Sequence, residues 1–257
     1  MKRVLIVIEG HHDEPELPTA ADLTRLAPSA AALKQAIAAD TVARGSTTVD
    51  VDIVTAAQLP TAVVTVPETL LCPLTLALPA DLEFPGQALY AACREVAGLR
   101  QWVMQTLQMP IGDGHLWLPI VWTVKGPLYA EVIGQAAHAA AISAISDQTD
   151  QTAAQAEAAP SYLQPIHFPD RWRQPLYRFG QRLLHTLAAP PATYLLQFGL
   201  QNQRLWFDRL WPFPAIPAVA SVGVQQPDLF VCHWRCLTGQ PLRDLKIVAP
   251  PTYQTWI

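Results

Sequence analysis

The first 54 residues carry a strand, helix and strand pattern that restricts the start of the chain to an α/β layer. Residues 4–8 (VLIVI) form an unbroken aliphatic run, which is typical of a strand buried on both faces. Residues 28–43 begin with a proline and carry an apolar stripe among many alanines, which predicts a helix. Residues 49–54 (VDVDIV) alternate apolar and acidic positions and predict a second strand. Only one glycine follows the first strand, so a dinucleotide-binding fingerprint is absent.

Composition and charge narrow the class of protein. Of the 257 residues, 51% are hydrophobic and 15% are charged, so we expect a globular fold with a sizeable core. The formal net charge is −4 and there is no basic block, which argues against nucleic acid as a partner. No apolar run approaches the ~18 residues of a membrane span. The spacing of the four cysteines fits neither a disulfide framework nor a paired CxxC zinc site, so we expect a soluble cytoplasmic protein with reduced thiols.

The middle of the chain predicts a second region, residues 86–257, after an N-terminal region of residues 1–85. Apolar residues at three- and four-residue steps predict one long helix over residues 87–108. Residues 116–124 predict a strand, placed at a sheet edge or bulge because it contains Pro119, and residues 128–133 predict the next strand. A polar, alanine-rich segment at residues 146–159 predicts a mobile linker.

The last third of the chain predicts a compact series of elements. Residues 161–166 have a strand pattern, and residues 175–187 predict an amphipathic helix that starts at Pro175. Residues 193–198 and 204–210 predict a hairpin of two strands. A proline-rich loop follows, and residues 226–228 (QPD) open a final helix, with the proline in its first turn and Gly239 suited to its C-terminal end.

This order of elements resembles the C-terminal part of ATP-grasp proteins, most nearly the carboxyaminoimidazole ribonucleotide synthase branch. In that family one strand carries a metal-binding glutamate, a second ends in Asn-Glu, and a Pro-Arg-Pro-His-Asn loop and a Ser-Gln-Phe-Glu helix follow. The segments that match are LLQF at 195–198, WFDR at 206–209, WPFP at 211–214, VQQPD at 224–228 and GQPL at 239–242. Residues 118–134 and 162–165 resemble, more weakly, the strands and loop that enclose the nucleotide. The resemblance implies an ATP-grasp-like α/β fold, with a small N-terminal α/β layer followed by a mixed sheet with packed helices.

The resemblance also implies a site and its cofactors, ATP and Mg²⁺. It assigns Lys125 to the phosphates, Gln164 to the adenine region, Gln197 to the first metal-bearing strand, Asp208 to a metal and Arg209 to a phosphate. If all five residues serve one nucleotide, they must line one cleft. Two divalent ions on the phosphates require oxygen ligands, yet Gln197 replaces the first carboxylate and Asp208 is an approximate stand-in for the second. An active enzyme of this kind would be an ATP-dependent ligase, but these departures favour a degenerate site that binds a nucleotide or a small anionic ligand.

Each of these positions also has a simpler interpretation. Asp208 and Arg209 could form a structural ion pair, and Lys125 could be a solvated turn residue. The polar residues 11–14 (HHDE) could bind a metal, but a solvent-facing loop is the more usual interpretation. Cys232 and Cys236 supply too few ligands for a structural zinc site and fit core packing.

A function from another class stays open. Arginines at 171, 173 and 178 lie near aromatic residues, with further aromatics at 206, 211, 213 and 234. Arginine and tryptophan are enriched at protein interfaces. The chain could therefore be a non-catalytic interaction or assembly protein that binds a protein partner through an exposed Trp/Arg surface.

Overall fold

The structure is a computed structural model that describes residues 3–10, 27–45, 49–59, 69–135, 161–201, 203–249 and 252–255. Two sequence predictions lie outside these ranges: the polar residues 11–14 and the linker at 146–159. The strands are β1 (Arg3–Ile8), β2 (Asp50–Thr55), β3 (Thr69–Pro73), β4 (Leu116–Thr123), β5 (Gly126–Tyr129), β6 (Val132–Gln135), β7 (Ser161–Ile166), β8 (Ala192–Gln201), β9 (Arg204–Trp211), β10 (Gln225–Gln226), β11 (Lys246–Ile247) and β12 (Thr252–Thr255). The α-helices are α1 (Pro28–Ala43), α2 (Gln87–Arg94), α3 (Val96–Trp102), α4 (Asp170–Thr186) and α5 (Leu229–Leu237).

The N-terminal strands form a parallel sheet, as the strand, helix and strand pattern predicted. In the described residues this sheet has three strands in the order β2-β1-β3, with β1 paired in parallel on both sides. Residues 4–8 are at most 5% exposed, because β1 is central and covered on both faces. The helix prediction for residues 28–43 is confirmed by α1.

Among the described residues, β10 and β11 pair with each other, and the remaining strands form a larger antiparallel sheet. Its order is β12-β7-β6-β4-β8-β9, and β5 also pairs with β4. One face packs against α2, α3, a π-helical turn (Val103–Leu107) and α4, and we call it the α4 face. The opposite face, called the α5 face, packs against α5 and a 3₁₀-helix (Ile216–Ser221), and α1 packs against these two helices. One apolar cluster therefore joins the N-terminal sheet to the larger sheet.

The predicted long helix over residues 87–108 is wrong in one respect. The structure has two α-helices that meet at Glu95, followed by the π-helical turn. Leu89, Leu99 and Val103 all pack in the same apolar cluster on the α4 face. The three- and four-residue spacing correctly predicted which side of this segment is buried. It does not determine whether the backbone hydrogen bonds form one continuous helix.

Pro119 lies inside the sheet and not at an edge, and the bulge that was the other predicted place is confirmed: between the β4–β5 and β4–β6 pairs, two residues of β4 face three residues of the neighbouring segment. It pairs with Leu195 on β8, and on the other side its carbonyl accepts from the Ala130 amide at 3.1 Å. The N–H that proline lacks would point to this second side, where β5 has ended at Tyr129 and β6 has not yet begun at Val132. The strand predicted over residues 128–133 is split at this place, and the missing donor therefore interrupts no ladder.

The amphipathic helix begins at Asp170, five residues before its predicted start. Pro175 is therefore inside α4, where it removes one backbone donor. Buried residues on the next turns, including Leu176, Phe179 and Leu183, anchor the helix to the α4 face. This burial outweighs the missing hydrogen bond. The predicted strand at 161–166, the hairpin and the final helix are confirmed.

Candidate functional site

A β-bulge at Asp208 in β9 places Arg209 opposite Gln197, on the same face of the sheet. Gln197 on β8 pairs with Arg209, and the next residue, Phe198, pairs with Phe207, so Asp208 is an extra residue without a partner on β8. Phe207 packs in the α4-face cluster. Leu195 packs in the α5-face cluster, and Gln197, two positions later on β8, has its side chain on the same face. Arg209 is opposite Gln197 and therefore also lies on the α5 face. A bulge of this kind re-aims a side chain.

Asp208 is buried at 3% exposure and its carboxylate is held from several directions. Arg100 of α3 donates from Nη2 to Oδ1 and from Nε to the Asp208 backbone carbonyl, the latter at 2.9 Å. The Gly114 amide donates to Oδ2 at 2.8 Å, and Arg209 Nε reaches Oδ1 at 3.3 Å. Arg100 also donates to Asp113 at 2.9 Å. Burial alone would lower the pKa of Arg100, and these hydrogen bonds to Asp208 and Asp113 raise it above its ordinary value.

Gln197, Arg209 and Trp211 form a second group, on the α5 face, which we call the Arg209 group. The Trp211 indole N–H donates to Gln197 Oε1 at 3.0 Å, and the Arg209 guanidinium carbon lies 5.6 Å from the centre of a Trp211 ring. The Arg209 side chain is 35% exposed. Among the described residues, its terminal nitrogens Nη1 and Nη2 have no hydrogen-bond partner, and only Nε is bonded, to Asp208.

Gly114 connects the two groups through its backbone. Its amide binds Asp208, and its carbonyl accepts from Gln197 Nε2 at 2.6 Å. A Cβ at this position would lie 2.4 Å from the Phe198 carbonyl carbon and oxygen. Only glycine fits so close to the β8 backbone, and this fit fixes the position of both backbone groups.

The other two residues assigned by the resemblance lie elsewhere. Lys125 is an exposed residue in the turn between β4 and β5. The β4 residue that pairs with Gln197 is Trp117, and the end of β4 at Thr123 lies six strand positions, or about 20 Å, away from it. Gln164 is on β7, separated from β8 by β6 and β4, or about 14 Å. It is fully buried and donates to the Glu131 carbonyl at 2.9 Å and to Gln225 at 3.3 Å. The structure brings together Gln197, Asp208 and Arg209, and it does not bring Lys125 or Gln164 to them.

The donors around Asp208 do not fit a magnesium site. Among the described residues, no three His, Cys, Asp or Glu side chains form a group that could hold a metal ion. Asp208 accepts from two arginines and one amide, and the Gln197 carbonyl oxygen is bound to Trp211. Mg²⁺ requires near-octahedral oxygen ligation, and two guanidinium groups beside the carboxylate repel a cation.

The remaining aromatic and basic residues divide between core and surface. Phe213 and Trp234 are buried and belong to the core. Trp206 is partly buried, close to Gly112. On α4, Arg173 pairs with Asp170, and Arg178 is exposed. The four cysteines are buried and free, and burial raises the pKa of Cys72 and Cys236 to about 12.

Sequence reasoning missed Arg100 and the Gly114 backbone. Both lie far from Asp208 in the chain and carry no motif, so no local pattern could have found them. It named Trp211 as an aromatic residue and as part of the WPFP segment, and it missed the contact with Gln197, which depends on the pairing of β8 with β9.

None of the described helices has the length and apolar character needed to cross a membrane. No family model matches the sequence, and no curated protein matches it either.

Several solved structures share the fold. N5-carboxyaminoimidazole ribonucleotide synthetase from Thermus thermophilus is 10% identical, with a TM-score of 0.63 over 94% of this chain and 79% of that chain. Glycinamide-RNase-transformylase T from Mycobacterium tuberculosis is 14% identical, with a TM-score of 0.61 over 94% of this chain and 80% of that chain. N5-carboxyaminoimidazole synthase from Aspergillus clavatus, in complex with ADP and 5-aminoimidazole ribonucleotide, is 9% identical, with a TM-score of 0.58 over 94% and 78%.

These neighbours are ATP-grasp proteins, and the chain has an ATP-grasp-like α/β fold. The fold class that the C-terminal segments implied is thereby confirmed. At this level of identity the likeness concerns the fold alone.

Proposed function

We propose that this chain is an ATP-grasp-like protein that binds a nucleotide or another small anionic ligand at the Arg209 group and does not carry out phosphoryl transfer. The observation that carries the proposal is the position of this group. Gln197, Arg209 and Trp211 place polar atoms on neighbouring strands of the sheet, and the Arg209 terminal nitrogens there have no partner among the residues that the structure describes. The solved structures of the same fold include complexes with ADP and with ATP.

The proposed absence of catalysis follows from the charge of the site. Phosphoryl transfer in proteins of this kind depends on divalent ions that bridge the phosphates and neutralise their charge. Gln197 is neutral, and Asp208 is neutralised by Arg100. A ligand could therefore bind here, but these two positions do not supply ligands for catalytic metal ions.

Thermal unfolding in the presence of ATP, ADP and adenosine tests this proposal. A ligand that binds only the native state raises the melting temperature. We expect ATP and ADP at millimolar concentration to raise it and adenosine, which has no phosphate, to do so much less. ATP hydrolysis should stay at the level of a buffer control. No shift with any phosphate-bearing ligand would contradict the proposal.

A second candidate function is binding of a protein partner through the exposed face of α4. Arg171, Arg178 and Arg182 are exposed and lie on one side of the helix, since their spacing of seven and four residues corresponds to whole turns. This function predicts a complex of fixed stoichiometry that is lost in Arg178→Glu/Arg182→Glu and kept in Arg209→Gln. A partner complex that survives the double charge reversal would exclude this surface.

A further inference from the structure

We propose that the Arg209 guanidinium occupies the position of a divalent cation, so that the Arg209 group binds phosphate oxygens without a metal ion. This inference rests on the proposed function, because it specifies how an anionic ligand is held there. It differs from a simple loss of metal binding, since the positive charge is retained in another chemical form.

The strand pairing identifies the two positions that a bridging cation would need. Two ligands on neighbouring strands hold one ion only if their side chains project to the same face and lie opposite each other. Gln197 and Arg209 satisfy this condition, since they are direct cross-strand partners, and the Cβ atoms of such pairs are about 5 Å apart. Asp208 does not satisfy it, because the bulge turns its carboxylate towards Arg100 and Gly114. Position 209, and not position 208, is thus the counterpart of Gln197.

The guanidinium of Arg209 is held in place from two sides. Its Nε donates to Asp208 Oδ1 at 3.3 Å, and its central carbon lies near the Trp211 ring. Trp211 is itself fixed by its bond to Gln197. A guanidinium fixed in this way loses little freedom when a ligand binds, and its two terminal nitrogens match two oxygens of one phosphate or carboxylate.

The same contacts exclude a metal ion. A cation between positions 197 and 209 would be next to a permanent positive charge, and the one oxygen that Gln197 could offer is already bound to the Trp211 indole. The site therefore selects an anion directly. Phosphate oxygens are the shared chemistry, whether they belong to a nucleotide or to inorganic phosphate.

Calorimetric titration of the full chain with ATP, ADP and inorganic phosphate, each in EDTA and in Mg²⁺, tests the inference. We expect ATP to bind in EDTA with an affinity within about threefold of that in Mg²⁺. Arg209→Gln should weaken ATP binding about ten- to a hundredfold, as expected for loss of a charged hydrogen-bond donor pair. Arg204→Gln, an exposed arginine at the start of the same strand, is the matched control and should bind as the unaltered chain does. Binding of inorganic phosphate as tight as that of ATP would show that the site takes free phosphate.

A second variant tests the assignment of position 209 from the opposite direction. Gln197→Glu/Arg209→Glu places two carboxylates on facing strand positions, and we expect it to bind Mn²⁺ where the unaltered chain binds none. If the double variant is unfolded by circular dichroism, the Arg209→Gln titration decides. A folded double variant without Mn²⁺ binding would overturn the assignment.

Failure of the inference is distinguishable from failure of the proposed function. ATP binding that disappears in EDTA, or that is unchanged in Arg209→Gln, overturns the inference and leaves nucleotide binding in place. No binding of ATP, ADP or phosphate in either buffer overturns both.

Discussion

Asp208 and Arg209 are consecutive in the chain, yet their charged side chains differ in burial and in the number of hydrogen-bond partners that the protein supplies. On the α4 face, Asp208 is buried and each of its carboxylate oxygens is bonded, and Arg100 directs its donors to Asp208 and Asp113. On the α5 face, Arg209 is partly exposed and its terminal nitrogens have no partner in the described part of the chain.

This difference separates a structural ion pair from a binding group. A charge whose partners are all supplied by the protein contributes to the folded state and is unavailable to a ligand. A charge that is positioned by the protein but left without its final partner is available. The comparison therefore predicts that substitutions at 208 change stability and substitutions at 209 change binding.

The largest expected effect is on stability at position 208. Asp208→Ala leaves Arg100 with the exposed Asp113 as its only carboxylate, besides the backbone carbonyl of residue 208, and leaves the Gly114 amide without its Asp208 acceptor, so we expect a loss of about 2–4 kcal/mol. Urea unfolding monitored by tryptophan fluorescence measures it. A loss no larger than that of Asp113→Ala, in which the exposed partner of Arg100 is removed, would show that the two regions do not differ.

His233, a buried polar residue of α5, predicts how the stability of the α5 face depends on pH. His233 is 1% exposed, its Nδ1 accepts from the Thr193 amide at 3.2 Å, and burial lowers its pKa to about 3. Between pH 6.5 and 3 the unfolded chain binds more protons at this residue than the folded one, so its contribution to stability is complete above pH 6.5 and is lost as the pH falls. We expect the free energy of unfolding to fall by up to about 1.4 kcal/mol per pH unit between about pH 6.5 and 5.

His233→Asn should remove most of this dependence, because asparagine does not titrate in this pH range. Its side-chain oxygen can still accept from the Thr193 amide, so the variant keeps that hydrogen bond. His185→Gln, on the exposed side of α4, is the control and should keep it. An unchanged pH dependence in His233→Asn would mean that His233 is not the group responsible.

The smallest expected effect is on stability at position 209. Arg209→Gln removes a partly exposed charge and one long hydrogen bond, so the free energy of unfolding should change by no more than about 0.5 kcal/mol. The same urea experiment measures it. A loss close to that of Asp208→Ala would place Arg209 in the structural network and would weaken its role in binding.

The sequence predicted most elements because local patterns determine them. The β1 run, the α1 stripe and the β8–β9 hairpin depend on burial and turn chemistry that neighbouring residues reveal. The final helix was placed correctly because Asp228 caps it, accepting from the Phe230 and Val231 amides, each at 2.9 Å.

The site could not be predicted to the same degree, because it depends on strand register. Asp208 is the obvious candidate for a metal in the sequence, and only the bulge shows that Arg209 and not Asp208 faces Gln197. The sequence left an edge or a bulge open for Pro119 and started the helix at Pro175, because the place that a proline takes depends on packing and strand pairing that no local pattern shows.

The bulge also has a consequence for changes in the length of β9. Leu205 and Phe207 before it and Leu210 after it pack in the α4-face cluster, whereas Arg209 and Trp211 face the other way. Removal of Asp208 alone would leave a strand of regular alternation in which every other side chain keeps its face. In its pairing, β9 is equivalent to a complete strand with one extra residue, whose carboxylate ties the sheet to α3 without altering the order of the side chains around it.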